Sequence, residues 1–473
     1  MTTTHADRTR RAAPGRSPRG PVPRGPVPDG ATLAPALVAQ EAEALLVRLG
    51  RLRPFVMTET MVLAAALPYD AHRAIEQFLH TGRTTLRDQV EGFLDWLTGP
   101  GAAAPAWEQQ RRFVAIRMRF NDVLSQLDVF AEVVTQRSEQ GTGVWLSGLD
   151  RLAADAVRLP DPPVEPPPLV CYLARGAGAA IRRARTRLPG GRLSPVAIIR
   201  VPRERMVGHG VASSLIHEVG HQVAAQLELV PSLQDAIARR RARAGPAEAA
   251  AWEGWHSTVS ECVADLWSVG KLGISSTLGL LAVVSLPRAL TFRPPHGDPH
   301  PMPYVRVLLS AAIGRAFYPH PQWDALVAAW KACYPVQDVT PEVRADIARL
   351  EGTADEFAHL MAAHRPASLG GRAISDVLPL ATRTPERLLA LRRTWGDDLG
   401  VLARRPPTLV FAVMGQARGA GLVAPQQESA VLADVLAAWA VRSSIDVMAR
   451  PHPAPGHHAP QRPAAPVAAS AQP

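Results

Sequence analysis

The stretch Ser213-Ser-Leu-Ile-His217-Glu218-Val-Gly-His221-Gln-Val223 brings local structure and chemistry together in this chain. Leu215, Ile216, Val219 and Val223 surround the polar residues, and Glu218 is the one charged residue between Val211 and Leu227. This pattern predicts a buried helix from about Val211 to Leu229, closed by Pro231. Histidines four apart on a helix point about 40° from one another, so His217 and His221 share a face. Two such imidazoles suit two corners of a tetrahedral Zn2+ site, and Glu218 can reach a water held there and remove its proton. A helix with two surface histidines and a solvated glutamate is the plainer alternative. The uncharged flanks tell against it, because a buried helix carrying His, Glu and His needs partners for all three.

A third ligand is required, and the stretch Ser260-Glu261-Cys-Val-Ala-Asp265-Leu-Trp267 offers one. It lies in a helix expected to open at Pro246 and run to about Gly270. Glu261 and Asp265 share a face amid Val259, Cys262, Val263, Leu266 and Trp267, which predicts burial rather than an exposed acidic pair. Glu261 would complete the metal site. Asp265, one turn on, suits the outer nitrogen of a ligand histidine, fixing its tautomer and orientation. His256 is a competing third ligand, but it has no acidic residue four positions on to support it.

HExxH followed by ExxxD resembles the gluzincin zinc metallopeptidases. The resemblance implies zinc on His217, His221 and Glu261, Asp265 as support for a ligand histidine, and Glu218 as the general base. The metzincin pattern is excluded, since Ala224 and Leu227 stand where it needs glycine and histidine. Further on, Asp298-Pro-His300-Pro301-Met-Pro-Tyr-Val-Arg306 is similar to a segment of CAAX prenyl endopeptidases and HtpX-like membrane proteases. That similarity implies His300 near the metal, stabilising the tetrahedral oxyanion, and Arg306 near the substrate. Negative charge develops on the carbonyl oxygen, so a cationic or hydrogen-bonding group is wanted there. Arg306 and Tyr304 are alternatives to His300, and Arg306 also reads as a structural partner on a helix from Pro303 to Phe317. The membrane families span the bilayer several times, whereas the most apolar run here, Leu278 to Leu286, is too short for one span. Prenyl-protein processing is therefore not carried over. The resemblance covers about residues 195–310.

Composition bounds the rest. The chain has 473 residues and a formal charge of +10. Residues 1–30 hold six Arg against two Asp, and residues 450–473 hold two Arg and no acid, so the tails carry most of that excess. Lys271 and Lys331 are the only lysines, which with the heavy use of Ala, Pro and Gly reads as the codon bias of a high-GC bacterial genome. No basic stripe interleaved with aromatics occurs, so nucleic acid is not an expected partner. Cys171, Cys262 and Cys333 are scattered, form no CxxC, and fit a reducing cytoplasm. Arg10-Arg11 is followed by no apolar core, so a signal peptide is not expected.

The expected fold class is mainly α (α+β). A disordered Pro/Arg tail (1–31) precedes a helical bundle (32–159), whose clearest helix runs from about Trp107 to Arg137. A Pro-rich linker (160–168) leads to a zincin-like metallopeptidase domain (169–338) with strands at Leu169–Leu173 and Val196–Val201. The second strand's free edge is a place for an extended peptide to pair. Helices follow at Gln322–Cys333 and within a C-terminal helical region (339–448), where Thr340-Pro341-Glu342 and Thr384-Pro385-Glu386 read as helix starts. A disordered tail (449–473) closes the chain. Its His452, His457 and His458 are residue types that can take up metal adventitiously. These readings converge on a zinc metalloendopeptidase acting on a peptide or protein substrate. The alternative is a helical interaction or scaffold protein with a zincin-like core, whose zinc is structural or whose activity is lost.

Overall fold

A computed structural model describes residues 30–52, 61–162, 165–175, 179–203, 208–295 and 297–448. The predicted tails lie outside the described residues, except that residues 30 and 31 belong to the first helix. The fold is mainly α with one small sheet, as expected. In chain order the elements begin with α1 (Gly30–Arg51), α2 (Tyr69–Thr98), α3 (Ala106–Thr135) and α4 (Gln140–Val157). Strands β1 (Leu169–Ala174), β2 (Ala180–Arg182) and β3 (Ala197–Pro202) follow. Then come α5 (His209–Gln226), α6 (Leu229–Arg241), α7 (Pro246–Leu272), α8 (Ile274–Val284), α9 (Arg288–Thr291) and α10 (Pro303–Phe317). The last group is α11 (Gln322–Cys333), α12 (Pro341–Ala363), α13 (Ile374–Val377), α14 (Pro385–Trp395), α15 (Leu399–Leu402), α16 (Pro407–Gly419) and α17 (Pro425–Met448).

The described residues divide into two compact units, one within residues 30–52 and 84–120, the other within 61–83 and 121–448. Helices from the stretch 32–159 thus contribute to both. In the smaller unit, Leu45, Leu49, Val90, Phe93 and Phe113 are buried, with the Phe93 and Phe113 rings stacked 6.2 Å apart. In the larger unit a continuous apolar core runs from α4 through the sheet to α17.

The sheet has the order β1-β3-β2, with β1 parallel and β2 antiparallel to β3. The strand ahead of the HExxH helix is therefore central, and both its edges are taken. This corrects the expectation that it offers a free edge. Periodicity marks a strand but not its neighbours, and β2 is only three residues long. The outer edge of β1 is closed by side chains. Gln136 Nε2 donates to Leu173 O and its Oε1 accepts from Leu173 N, both at 2.8 Å. Cys171 N donates to Asp150 Oδ1 (2.7 Å), and Arg137 Nη2 donates to Cys171 O (2.6 Å). Arg137 and Asp150 pair with each other at 2.9 Å, and both are fully buried. Side chains thus do what a fourth strand would do, leaving β2 as the sheet's other edge.

Helix boundaries follow their local signals with one correction. Thr340 and Thr384 cap α12 and α14, each side chain accepting a backbone N–H from three residues on. Pro231, however, does not close the HExxH helix. That helix ends at Gln226, the chain turns through Glu228 at φ 52°, and Pro231 sits in the first turn of α6. A first-turn proline gives up no intrahelical hydrogen bond, so it fits a start as well as a stop. Gly273 separates α7 from α8 at φ 59°, ψ −139°, a conformation open essentially to glycine alone.

Candidate metal centre

Helix α5 packs against both α7 and α8, and α10 packs on the same pair. Gly220, inside the HExxH motif, is the point of closest approach. A Cβ there would lie 2.8 Å from Ala264 Cα and 3.0 Å from Ala264 O. The absent side chain lets the two helix backbones nearly touch, next to His221 and about one turn from His217 and Glu261. A seam of buried hydroxyls fixes the third helix. Ser213 Oγ donates to Ser276 O (2.8 Å), Ser276 Oγ to Ser268 Oγ (2.7 Å), and Ser268 Oγ to Ser213 O (3.3 Å).

This packing brings the predicted ligands to one place. His217, His221 and Glu261 each offer a ligand atom, all within 4.8 Å of one another. Glu261 Oε2 lies 3.1 Å from His217 Nε2, and its Oε1 lies 3.4 Å from His221 Nε2. The two imidazole rings stand edge to face at 86°. Asp265 Oδ1 takes the outer nitrogen of His217, Nδ1, at 2.8 Å, so Nε2 is left for the shared point. His256 is not part of this cluster, and Tyr304 is buried in an aromatic stack with Phe292 and Trp330.

Arg306 and His300 reach the cluster from α10 and the turn before it. Arg306 donates to both Asp265 oxygens, from Nε at 2.7 Å and Nη2 at 2.9 Å. It is buried, and its Nη2 lies within 3.4 Å of the His217 ring nitrogens. Among the contacts left open to it, Arg306 makes that of a structural partner holding the aspartate that holds the histidine. His300 is about half exposed and faces Glu261 Oε2 from Nε2 at 3.2 Å. Its Nδ1 meets Asp298 Oδ1 at 2.7 Å, and the same oxygen accepts its backbone N–H at 3.0 Å. Asp298 therefore orients His300 much as Asp265 orients His217. Sequence reading passed over Asp298 as an orienting group, although an acid two residues before a histidine in a Pro-rich turn is a legible signal for it.

Electrostatics follow from the geometry. Burial alone would raise Glu261, yet hydrogen bonds from His217 and His221 and their charge hold it well below the usual carboxylate range. Burial would lower His217, but the Asp265 charge and its hydrogen bond outweigh that and push it up to about 9. Burial also raises Glu218, partly offset by the two histidines. Burial works against Asp265, and the charge of Arg306 and then His217 brings it down regardless. Without an ion, a protonated His217 joins Arg306 in offsetting Glu218, Glu261 and Asp265. With the imidazoles neutral, as metal ligands must be, the three acids against Arg306 leave two excess negative charges, which a divalent cation matches. Two imidazole nitrogens and a carboxylate are also a donor set zinc accepts, with one position left open. On both counts the residues present fit zinc.

Glu218, His217, Asp265, His300 and Arg306 border a cavity of about 100 Å3, with Leu280 and Val283 of α8 as its apolar wall. Ala179, the residue before β2, also borders it. Among the described residues no helix is long and apolar enough to cross a membrane. Comparison of the chain with protein-family models, curated proteins and solved structures finds no match. Its class therefore has to be argued from the site.

Proposed function

We propose that this chain is a zinc-dependent metallopeptidase with Glu218 as its general base. One observation carries the reading: the convergence of His217 Nε2, His221 Nε2 and the Glu261 carboxylate beside a buried second glutamate. Zinc on these three residues would polarise a substrate carbonyl and make an attacking water acidic. Glu218 borders the same cavity, and burial raises its affinity for a proton. It is suited to take a proton from the attacking water and deliver it to the leaving amine. His300, held by Asp298 on Nδ1, turns Nε2 toward the cluster and is suited to donate to the developing oxyanion. Arg306 acts at one remove, by positioning Asp265 and hence His217. We assign an extended peptide substrate to the edge of β2, because Ala179, the residue before that strand, borders the cavity.

The small cavity favours a second reading, a helical interaction protein with structural zinc. Glu218→Gln separates the two. Under the peptidase reading, zinc stays near one per chain while digestion of an unbiased peptide library falls by roughly a hundredfold or more. Digestion that survives in Glu218→Gln refutes Glu218 as the base. A wild-type chain holding one zinc and cleaving nothing in the library favours the structural reading. Zinc counts must be read against Glu261→Ala, because the tail carries His452, His457 and His458, residue types able to take up metal adventitiously.

A further inference from the structure

A second cavity, of about 460 Å3, lies among the ends of α4 and α7, the chain after α13 and the start of α16. It shares no lining residue with the metal cavity. Arg158, Lys271 and Arg383 border it, against one carboxylate, Asp155. Lys271 and Arg383 are each only 5% exposed, and a buried cation is costly unless it is paired.

Their protein partners settle only part of that cost. Lys271 Nζ donates to Arg158 O at 2.8 Å, and Arg383 Nη1 donates to Lys271 O at 2.5 Å. Each cation thus caps the carbonyl end of a helix, α4 or α7, where the helix dipole favours positive charge. Arg383 Nη2 donates to Thr408 Oγ1 at 2.8 Å, while Arg383 Nε is buried without an acceptor. Asp155 meets Arg383 only through that hydroxyl, accepting from Thr408 N at 2.9 Å and Thr408 Oγ1 at 2.6 Å. Among the described residues the hydrogen bonds of the Lys271 and Arg383 side chains go to two carbonyls and a hydroxyl, none to a carboxylate. The local excess is positive, in a space whose remaining walls are mostly apolar, Leu159, Leu378 and Leu409 among them, with Thr382 and Thr408 as hydroxyls. A volume of this size lies within the roughly 300–1,000 Å3 of small-molecule sites.

We propose that this cavity binds a small organic anion, a carboxylate with an apolar body. The carboxylate sits on Lys271 and Arg383, with Arg158 at the rim, and the body lies against the leucines. The inference does not depend on the peptidase reading.

The test titrates the zinc-loaded full-length chain with hexanoate, using hexanol as the neutral isostere, by calorimetry and thermal unfolding. Hexanoate is expected to bind and raise Tm, and hexanol to do neither at the same concentration. Lys271→Met should weaken hexanoate roughly ten- to hundredfold, the scale of one hydrogen bond to a charged group. Arg158→Gln, which spares the buried donors, should weaken it several-fold and decides the matter if Lys271→Met does not fold. Chain stripped of zinc and desalted should bind as well as loaded chain. Equal binding of hexanol, undiminished binding in Arg158→Gln, or loss of binding on stripping zinc would each overturn the proposal.

Discussion

Replacing Gly220 with alanine adds one methyl group where α5 and α7 touch, and the structure sets the size of the effect. The new Cβ would lie 2.8 Å from Ala264 Cα, 3.0 Å from Ala264 O and 3.2 Å from Trp267 Cβ. Two of these are backbone atoms, so no side-chain rotation relieves the clash. Reaching ordinary contact at 3.4 Å requires the helices to part by about half an ångström. Overpacking of this kind costs about 1–3 kcal/mol, and the helix propensity of alanine returns at most about 1 kcal/mol. A net loss of up to about 3 kcal/mol is expected in urea unfolding. Zinc should suffer in parallel, because ligand distances tolerate only about 0.2 Å and α5 and α7 carry the ligands between them. An affinity loss of roughly tenfold or more, in competition with a chromophoric chelator, is the expected reading. Gly210→Ala is the internal control: it lies on the same helix with nothing within 4 Å of its added Cβ. If Gly220→Ala matches Gly210→Ala in both stability and zinc affinity, the close approach does not set the site.

Asp265→Asn should weaken zinc by roughly 10- to 100-fold in the same competition assay, since His217 loses its charged acceptor; unchanged affinity would mean that Asp265 serves Arg306 alone. Arg137→Met strands the buried Asp150 carboxylate beside β1 and should cost about 3–5 kcal/mol in chemical denaturation. Burial first, then the neighbouring Arg383, lowers Lys271 to about 8 in the fold. Between that value and the unfolded lysine's, near 10.4, the unfolded chain binds more protons, so stability should rise with pH across this window. Lys271→Met should remove that rise, on the order of 3 kcal/mol by the size of the shift; a rise that persists in the variant belongs to another group. Zinc at a hundred times its Kd should stabilise the wild-type chain by about 2.7 kcal/mol, read as a Tm shift reversed by chelation. Glu261→Ala should lose that dependence.

Much of the fold is local and was legible as such. The α10 and α11 boundaries follow from proline at or just before the first helical position and from apolar spacing, and the two threonine caps from their side-chain chemistry. The pairing of His217 with His221, and of Glu261 with Asp265, is a consequence of the 3.6-residue turn. Each pair presents itself on one face whatever the rest of the chain does. What joins the two pairs is not local. The glycine that lets α5 approach α7 looks in the sequence like any other variable position of HExxH. Arg306 is legible as a cation, but only the packing of α10 brings its guanidinium onto Asp265 at the border of the cavity. The same holds for the sheet. Alternation marks β1 and β3, while strand order, the short β2 edge and the closure of β1 by Gln136, Arg137 and Asp150 depend on long-range contacts that no periodicity encodes. The cationic cavity is the extreme case, since Arg158, Lys271 and Arg383 are scattered along the chain. Spacing along a helix decides which side chains share a face. Only the burial of one face against another decides which faces meet, and so which charges are left to find a partner.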